Sequence, residues 1–328
     1  MRGNVQFLSV KQFDKPKFTY IPRKEFIMNP HIPPLFEGCA TALVTPFRNG
    51  SLDKTAFLRL LHRQIEGGID ALVVAGTTGE SPTLTDTEKR WLFTAAVREA
   101  ATADRKIPVI AGTGSNNTRR ACELSRMAED CGCDGLLVVT PYYNKASEAG
   151  LISHYEAVAE ATALPLIAYH VPSRTGCKMT PAACKHLANH PRIVGLKDAA
   201  GDLSFTARVA ALCGASLPLY SGNDDQTLPL LSLGGLGVIS VVSNLCPEAM
   251  TRLCRLWREG KTPEARALQL SLIPLCDALF CEVNPIPVKA GMELLGFCSD
   301  EVRLPLAKAD KGVRERVAEA LRGLGMLT

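Results

Sequence analysis

The chain lacks the patterns that mark metal-binding, disulfide-stapled and membrane-spanning proteins. Its 12 cysteines include no C-x-x-C pair, and its 6 histidines include no H-E-x-x-H motif. Scattered cysteines of this kind favour buried, reduced thiols and argue against a zinc site. Apolar runs such as Ala71–Ala75 are far shorter than the roughly 20 residues that cross a bilayer. We therefore expect a cytoplasmic protein with no metal and no membrane segment.

The chain also lacks a strong excess of charge. Lysine and arginine number 37 against 33 acidic residues, which gives a net charge of +4, and no basic block is present. Nucleic acid is therefore not expected as a partner. The 328 residues, 46% of them hydrophobic, suffice for one large domain with an appendage or for two modest domains.

The beginning of the chain differs from the rest. Residues 1–27 carry more basic than acidic side chains and show no sustained hydrophobic period. We predict that residues 1–35 form an N-terminal tail, which is either disordered or an extension upstream of a true start at Met28. A transit peptide is disfavoured, because the stretch contains acids and a single serine.

From Cys39 onward, eight short apolar runs alternate with helical patterns. The runs span residues 39–46, 70–76, 107–113, 134–141, 164–170, 192–197, 217–222 and 236–240. They lack polar alternation, which is typical of parallel strands that are buried on both faces. Helical segments between them include 52–66, 86–101 and 118–131, and Asp53 and Asp86 are predicted N-caps.

Eight such units predict an α/β fold, a (β/α)8 TIM barrel, which we assign to residues 36–260. A C-terminal helical region follows over 261–328; strands cease after Pro247, and the helices break at 284–287 and 302–305. A doubly wound open sheet is the alternative fold. No G-x-G-x-x-G follows the first strand, which argues against a dinucleotide-binding version of that sheet.

Catalytic groups of a barrel come from the carboxyl ends of its strands. The polar groups at those ends are GTTGES (76–81), TPYYNK (140–145), Tyr169 with PSRTG (172–176), Lys197 and SGNDD (221–225). They include neither a carboxylate pair nor a histidine–cysteine couple. A lysine in a partly dry pocket loses its proton more easily and attacks a carbonyl as a neutral amine. Tyrosine and threonine hydroxyls can move protons, GTTGE offers N–H groups to a carboxylate, and an arginine can grip a second one.

Simpler interpretations exist for each motif. A lysine at a strand end is often a paired surface group, and GTTGE can be only a tight turn. Tyr142 and Tyr143 can be core or interface aromatics. We interpret SGNDD as a capped turn without a catalytic role, and the glycines of GGLG (234–237) as permitting close strand packing rather than binding phosphate.

From about residue 36 to the end, the chain resembles the dihydrodipicolinate synthase / N-acetylneuraminate lyase family of pyruvate-dependent class I aldolases. The motifs that carry the resemblance occur in the family's order and spacing: GTTGES, AGTGSN, TPYYNK, YHVPSRTG, GLKDAAGD, GGLGVISV and NPIPVK. The arginine of PSRTG, the doubled tyrosine and the spelling GTTGE indicate the synthase branch. His170, where asparagine is frequent, and ASEAG at 146–150 depart from the family pattern beside the site.

The resemblance implies a catalytic role for four residues. Lys197 would form a Schiff base with pyruvate, and Tyr169 would donate and accept protons above it. Thr77 and Tyr143 would complete a proton relay, with Tyr143 reaching in from a neighbouring subunit of a homodimer or homotetramer. No separate cofactor is implied, because the lysine itself activates pyruvate.

The resemblance also implies two substrates and their binding groups. Thr78 and Ile239 would hold pyruvate, and Arg174 would orient L-aspartate 4-semialdehyde. The product would be (4S)-4-hydroxy-2,3,4,5-tetrahydrodipicolinate, on the diaminopimelate route to lysine. Two alternatives stay open: a sister aldolase or lyase that acts on a sugar acid or another 2-keto acid, and a catalytically silent binding or regulatory member.

Many family members bind lysine in a cleft at the dimer interface, and Ser81, Asn116 and Tyr142 match that cleft. The resemblance also shows a difference: Lys89 stands where lysine-sensitive bacterial members tend to carry histidine, and Arg120 where they carry an acid. Two cations near a cationic effector oppose its binding. We therefore predict poor inhibition by lysine.

Overall fold

The structure, a computed structural model, describes residues 33–328 and contains a closed barrel of eight parallel strands. Most of the predicted tail over 1–35 lies outside the described residues. The strands are β1 Gly38–Ala42, β2 Ala71–Val74, β3 Val109–Gly112, β4 Gly135–Val139, β5 Leu166–His170, β6 Ile193–Asp198, β7 Leu219–Ser221 and β8 Gly237–Ser240. Because β1 pairs with both β2 and β8, the sheet closes. The predicted TIM barrel is confirmed, and the open-sheet alternative is wrong.

Helices surround the barrel and continue beyond it. They are α1 Lys54–Glu66, α2 Asp86–Ala100, α3 Thr118–Asp130, α4 Glu148–Glu160, α5 Pro172–Thr175, α6 Pro181–Leu187, α7 Leu203–Cys213, α8 Thr227–Ser232, α9 Pro247–Arg258, α10 Thr262–Leu279, α11 Ile286–Leu294 and α12 Lys311–Gly323. The C-terminal helices pack on one another, with α10 against α9 and α12, and α11 against α12. Of the described helices, none is long and apolar enough to span a membrane.

The strands bury two separate apolar faces, which explains their continuous apolar sequences. Alternate residues such as Ala40, Val73 and Ile167 form the barrel interior, while Cys39, Leu72 and Leu166 pack outward against the helices. The amino-terminal end of the barrel is closed by Phe36, which stacks on Tyr220 with ring centroids 4.4 Å apart. The opposite, carboxyl end is therefore the accessible one.

Small residues let the first and last strands meet. A Cβ atom on Gly237 would lie 1.9 Å from the carbonyl oxygen of Gly38 on β1, closer than any real contact. The interpretation of GGLG as a strand-packing motif is therefore confirmed for this glycine.

The first predicted strand was too long at its carboxyl end. The apolar run continues to Pro46, but the backbone leaves the ladder after Ala42. The N–H of Val44 donates to Oδ1 of Asn244 at 3.1 Å, and Oγ1 of Thr45 donates to the carbonyl of Gly79 at 2.8 Å. Burial alone therefore does not mark the end of a strand.

One of the two predicted helix caps is wrong. Asp53 does cap α1, because its side chain accepts from the N–H of Ala56. At α2 the cap is Thr85 rather than Asp86, which is the first helical residue. Thr85 and Glu88 form a reciprocal capping box, and that T-x-x-E pattern was visible in the sequence.

Candidate active site

Lys197 and Tyr169 stand side by side inside the barrel. They are register partners on β6 and β5, and Nζ of Lys197 lies 4.2 Å from the centroid of the Tyr169 ring. Lys197 is 5% exposed, so its amine is largely removed from water. It is the penultimate residue of β6 rather than the last, because the ladder continues through Asp198.

Space for the lysine comes from a glycine after β7. A Cβ atom at Gly222 would lie 3.0 Å from Cε of Lys197 and 2.6 Å from Cβ of Ala199. Any larger residue at this position would therefore press on the lysine stem.

The pKa of Lys197 is lowered to about 7, chiefly by burial; the charge of Asp224 opposes the shift, and that of Arg174 contributes to it. Burial raises the pKa of Tyr169, against the effects of Arg174 and of a hydrogen bond with the Thr77 side chain. Near neutral pH the site thus offers a neutral amine beside a protonated phenol, which suits nucleophilic attack and proton donation.

Asp224 is a buried acid that sequence reasoning assigned to a capped turn. Its carboxylate accepts hydrogen bonds from Oγ of Ser240 at 2.5 Å and from the N–H groups of Val241 and Val242 at 2.9 and 3.2 Å. It therefore joins the loop after β7 to the end of β8, and its charge acts on Lys197. Only its position in the DD pair of SGNDD distinguished it in the sequence.

The loop GTTGES after β2 is held from several sides. Thr78 is 3% exposed, and its Oγ1 accepts a hydrogen bond from Nδ2 of Asn284 at 2.9 Å. Glu80 has a left-handed backbone with φ of 54° and binds Nζ of Lys289 at 2.5 Å. Both partners come from NPIPVK, so the C-terminal region fixes this loop, a role that the sequence did not reveal.

A cavity of about 490 Å³ opens at this end of the barrel. Its lining includes Thr77, Tyr142, Tyr169, Arg174 and Asn284, but not Lys197, Thr78 or Ile239. Tyr169 connects the two groups, because it lines the cavity and contacts Lys197. Ile239 is fully buried in the barrel interior beside this group.

Arg174 stands at the mouth of the cavity on α5. Its residue is exposed, and Nη2 donates to the backbone carbonyl of Asn284 at 3.2 Å. This hydrogen bond fixes one nitrogen of the guanidinium, and the remaining N–H groups can bind an anion.

Tyr143 is the predicted site residue that a single chain does not bring into the site. It is 87% exposed, has a left-handed backbone with φ of 70°, and does not line the cavity. The predicted catalytic role of Tyr143 therefore stays a prediction.

The unusual His170 lies on the outer side of the strand. Its Nε2 accepts from the N–H of Met179 at 3.2 Å, and Nδ1 lies 3.5 Å from Oδ1 of Asp198. Its ring packs against Phe205 of α7. The departure from the family pattern at this position is therefore directed at the helices, not at the cavity.

The two cations of the predicted effector cleft differ in their surroundings. Arg120 lines the cavity and forms ion pairs with Asp86 and Glu123. Lys89 is buried in the cavity wall, where burial and then the charge of Arg120 lower its pKa. Both cations thus line the cavity, and the ion pairs of Arg120 with Asp86 and Glu123 offset part of its charge. Asp86 nevertheless offers an effector no free carboxylate, because Arg120 occupies it.

Comparison with known proteins decides the family. The sequence model of the Dihydrodipicolinate synthetase family matches residues 35–324. The chain belongs to this family. The 4-hydroxy-tetrahydrodipicolinate synthase of Citrifermentans bemidjiense is 47% identical over 83% of this chain and 93% of its own length.

Solved structures agree with the family and its barrel. The dihydrodipicolinate synthase of Thermotoga maritima superposes with a TM-score of 0.87 at 43% identity, over 89% of this chain and 100% of that one. The lysine-bound enzyme of Cyanidioschyzon merolae superposes with a TM-score of 0.86 at 40% identity, over 90% of this chain and 100% of that one. The sequence-based assignment to the family is confirmed.

Proposed function

We propose that this chain condenses pyruvate with L-aspartate 4-semialdehyde to (4S)-4-hydroxy-2,3,4,5-tetrahydrodipicolinate, on the diaminopimelate route to lysine. It is a 4-hydroxy-tetrahydrodipicolinate synthase, a lyase of the class I aldolase type. The observation that carries the proposal is the buried Lys197 amine, whose pKa is lowered to about 7, packed against Tyr169.

Lys197 is the nucleophile. Its neutral amine attacks the carbonyl carbon of pyruvate, and loss of water gives a Schiff base. The protonated imine withdraws electrons, so the methyl group of pyruvate loses a proton and becomes an enamine carbon. That carbon attacks the aldehyde of the second substrate. The amine of the second substrate then displaces Lys197 and closes the ring, which regenerates the free lysine without any other cofactor.

Tyr169 moves the protons of these steps, supported by Thr77. The raised pKa of Tyr169 keeps the phenol protonated and able to donate to the departing water. Tyr143 of a neighbouring subunit completes the relay. Its exposure of 87% supports this role, because such a side chain is available to a second chain.

Two groups hold the two carboxylates. Thr78 and Ile239 bind pyruvate: the Thr78 hydroxyl donates to its carboxylate, and Ile239 packs against its apolar side. Arg174 at the cavity mouth takes the carboxylate of L-aspartate 4-semialdehyde through paired N–H donors. The active assembly is a homodimer or homotetramer in the cytoplasm, without nucleic acid or membrane as a partner.

The two alternative functions have less support. A sister aldolase acting on a neutral sugar chain would gain little from Arg174, which is held in place by the carbonyl of Asn284. A silent binding protein would be expected to have lost part of the lysine–tyrosine–threonine set, and this chain retains Lys197, Tyr169 and Thr77.

A coupled assay tests the proposal. Purified protein is given pyruvate and aspartate semialdehyde, and product formation is followed through the next reductase, beside a panel of sugar and other 2-keto-acid aldehydes. We expect turnover with aspartate semialdehyde at least tenfold above any other aldehyde. A preference for a sugar aldehyde would favour the sister aldolase, and no turnover with any would favour the silent member.

Weak inhibition by lysine stays a prediction for this enzyme. Two features of the cleft support it. The Lys89 amine repels the effector's ammonium group, and the Asp86 carboxylate is already paired with Arg120. Half-inhibition is expected only at millimolar or higher concentrations of L-lysine. Titration of lysine into the same assay measures it, and sub-millimolar half-inhibition would show that this interpretation of the cleft is mistaken.

A further inference from the structure

Asn284 connects the C-terminal extension to the loop that follows β2. Its Nδ2 donates to Oγ1 of Thr78 at 2.9 Å across 206 positions of sequence. The asparagine is 6% exposed and lines the catalytic cavity together with Thr77 and Arg174.

This hydrogen bond determines where the hydroxyl proton of Thr78 can point. A threonine hydroxyl has one proton to donate and two lone pairs that accept. Because Oγ1 accepts from Asn284, its own proton is directed elsewhere and stays available for another acceptor. That arrangement makes Thr78 a donor toward a carboxylate.

The amide of Asn284 is otherwise poorly satisfied. Its Oδ1 is buried and has no hydrogen-bond partner among the residues that the structure describes. Burying an unpaired carbonyl oxygen costs about as much free energy as one hydrogen bond contributes. The Asn284 side chain therefore adds little to the stability of the fold. This asymmetry points to a task for the one bond that it makes.

The backbone of the same residue holds the second anion-binding group. The carbonyl oxygen of Asn284 accepts from Nη2 of Arg174 at 3.2 Å. One residue therefore contacts both Thr78 and Arg174, through its side chain and its main chain respectively.

We propose that Asn284 is a positioning residue that orients the Thr78 hydroxyl toward the pyruvate carboxylate and fixes the Arg174 guanidinium relative to it. The proposal rests on the proposed function, in which Thr78 and Arg174 bind the two carboxylates. Side-chain substitutions at Asn284 act on the Thr78 contact and leave the backbone contact to Arg174 available. They should therefore affect pyruvate more than the second substrate.

Two variants separate orientation from simple loss of contact. Asn284→Ala removes the donor, and the pyruvate KM should rise about three- to tenfold, as expected for one hydrogen bond. Asn284→Asp has nearly the same shape, but a carboxylate can only accept. The carboxylate accepts a hydrogen bond from the Thr78 hydroxyl, which turns that donor away from pyruvate, and it adds a negative charge near pyruvate. The pyruvate KM should therefore rise by more than in Asn284→Ala. The KM for aspartate semialdehyde should change less than threefold in Asn284→Ala.

A double-mutant cycle shows whether the effect passes through Thr78. In a Thr78→Val background, Asn284→Ala should add less than twofold to the pyruvate KM, because the hydroxyl that it orients is gone. Asn244→Ala is the matched control, since the Asn244 side chain is another buried amide, and within residues 33–328 its hydrogen bonds are to the backbone of Val44, Ala42 and Val241. It should lower thermal stability without a selective rise in the pyruvate KM.

Pyruvate affinity is also measured without the second substrate, by borohydride trapping at graded pyruvate concentrations, which keeps this inference distinguishable from the proposed function. If wild-type protein is not trapped by pyruvate, the proposed function itself fails. If it is trapped and both Asn284 variants show wild-type pyruvate affinity, or equal losses for both substrates, the positioning role is overturned.

Discussion

Lys197 illustrates how position changes the chemistry of a single side chain. On a surface its amine would be charged and inert, but inside the barrel it is 5% exposed. Within residues 33–328, no hydrogen bond or ion pair connects Lys197 to another side chain. Desolvation therefore dominates, and the pKa falls to about 7.

The pH dependence of Schiff-base formation should report this shift. Below pH 7 the ammonium form predominates and cannot attack, so the rate of pyruvate trapping should rise as pH increases through about 7 and then level off. Rates at fixed pyruvate, quenched with borohydride and measured from pH 5.5 to 10, check this. A rate that keeps rising toward pH 10 would indicate a lysine with its ordinary pKa.

Arg174 should determine affinity for the second substrate. Arg174→Ala should lower kcat/KM for aspartate semialdehyde by roughly 30- to 150-fold, which corresponds to about 2–3 kcal/mol for a bidentate carboxylate contact. The pyruvate KM should change far less. Arg174→Lys is the matched variant, because it keeps the charge but loses the paired donors. Its kcat/KM for aspartate semialdehyde should lie between those of the wild type and Arg174→Ala. Equal losses for both substrates would indicate a structural arginine.

Lys197 and Tyr169 stood out in the sequence because each is a polar residue at or beside the end of an apolar run. The roles of Thr77, Thr78 and Tyr143 came from the family resemblance. Asn284 meets Thr78 from 206 positions away, and no periodicity relates the two. The sequence predicted a helix break at NPIP, and α11 does begin within it, at Ile286. The contact of Asn284 with Thr78 depends on tertiary packing and could not be predicted in this way.

At the scale of elements, the loop after β2 is held by a buried ion pair. Lys289 of α11 is completely buried; its Nζ binds Oε1 of Glu80 at 2.5 Å and lies 4.3 Å from the centroid of the Phe47 ring. The guanidinium of Arg303 covers the same ring at 4.2 Å, and the backbone N–H of Arg303 donates to Oε2 of Glu80 at 2.9 Å. The C-terminal region therefore belongs to the site's framework.

Breaking this pair should be costly, and replacing both partners less so. Lys289→Met should lower the free energy of unfolding by about 3–5 kcal/mol, because Glu80 stays buried without its cation. The double variant Lys289→Met with Glu80→Gln should lose less than the single one. Arg322→Met, which removes an exposed pair with Glu315, serves as control and should cost at most about 1 kcal/mol. Urea unfolding measures all three, and equal losses for Lys289→Met and Arg322→Met would contradict the role of the buried pair.

Element types were predictable, but their ends were less so. Apolar runs located all eight strands, because both faces of a parallel barrel are buried. The run at 39–46 extended beyond β1, since Leu43 and Val44 stay buried after the ladder ends. The N-cap of α2 was misplaced by one residue, because Thr85 and Asp86 both suit a cap and only the Glu88 partner distinguishes them.

At the scale of the whole molecule, the predicted relay needs a second chain. Tyr143 is 87% exposed and lies outside the cavity of its own subunit. In a shared site, one chain supplies Lys197 and its neighbour supplies Tyr143. Activity then depends on association.

Mixed assemblies test this sharing. Tyr143→Phe and Lys197→Ala chains should each be nearly inactive alone. A mixed dimer should regain one site with both wild-type groups, hence up to about half of the wild-type rate per such dimer. A mixture of Lys197→Ala with Tyr169→Phe is the control. Lys197 and Tyr169 belong to the same subunit's site, so no site of this mixed dimer carries both wild-type groups, and activity should not return. No recovery by the Tyr143→Phe mixture, despite subunit exchange demonstrated by mass spectrometry, would contradict the shared site.

The most direct test of the central claim is the identification of the covalent intermediate. Active protein is incubated with pyruvate, reduced with borohydride, digested and analysed by mass spectrometry, with Lys197→Ala treated in parallel. The account predicts reduced pyruvate bound covalently to the peptide that contains Lys197, accompanied by loss of activity, and no such adduct in Lys197→Ala. An unmodified Lys197 peptide in fully inactivated protein, or an adduct on another lysine, would contradict it.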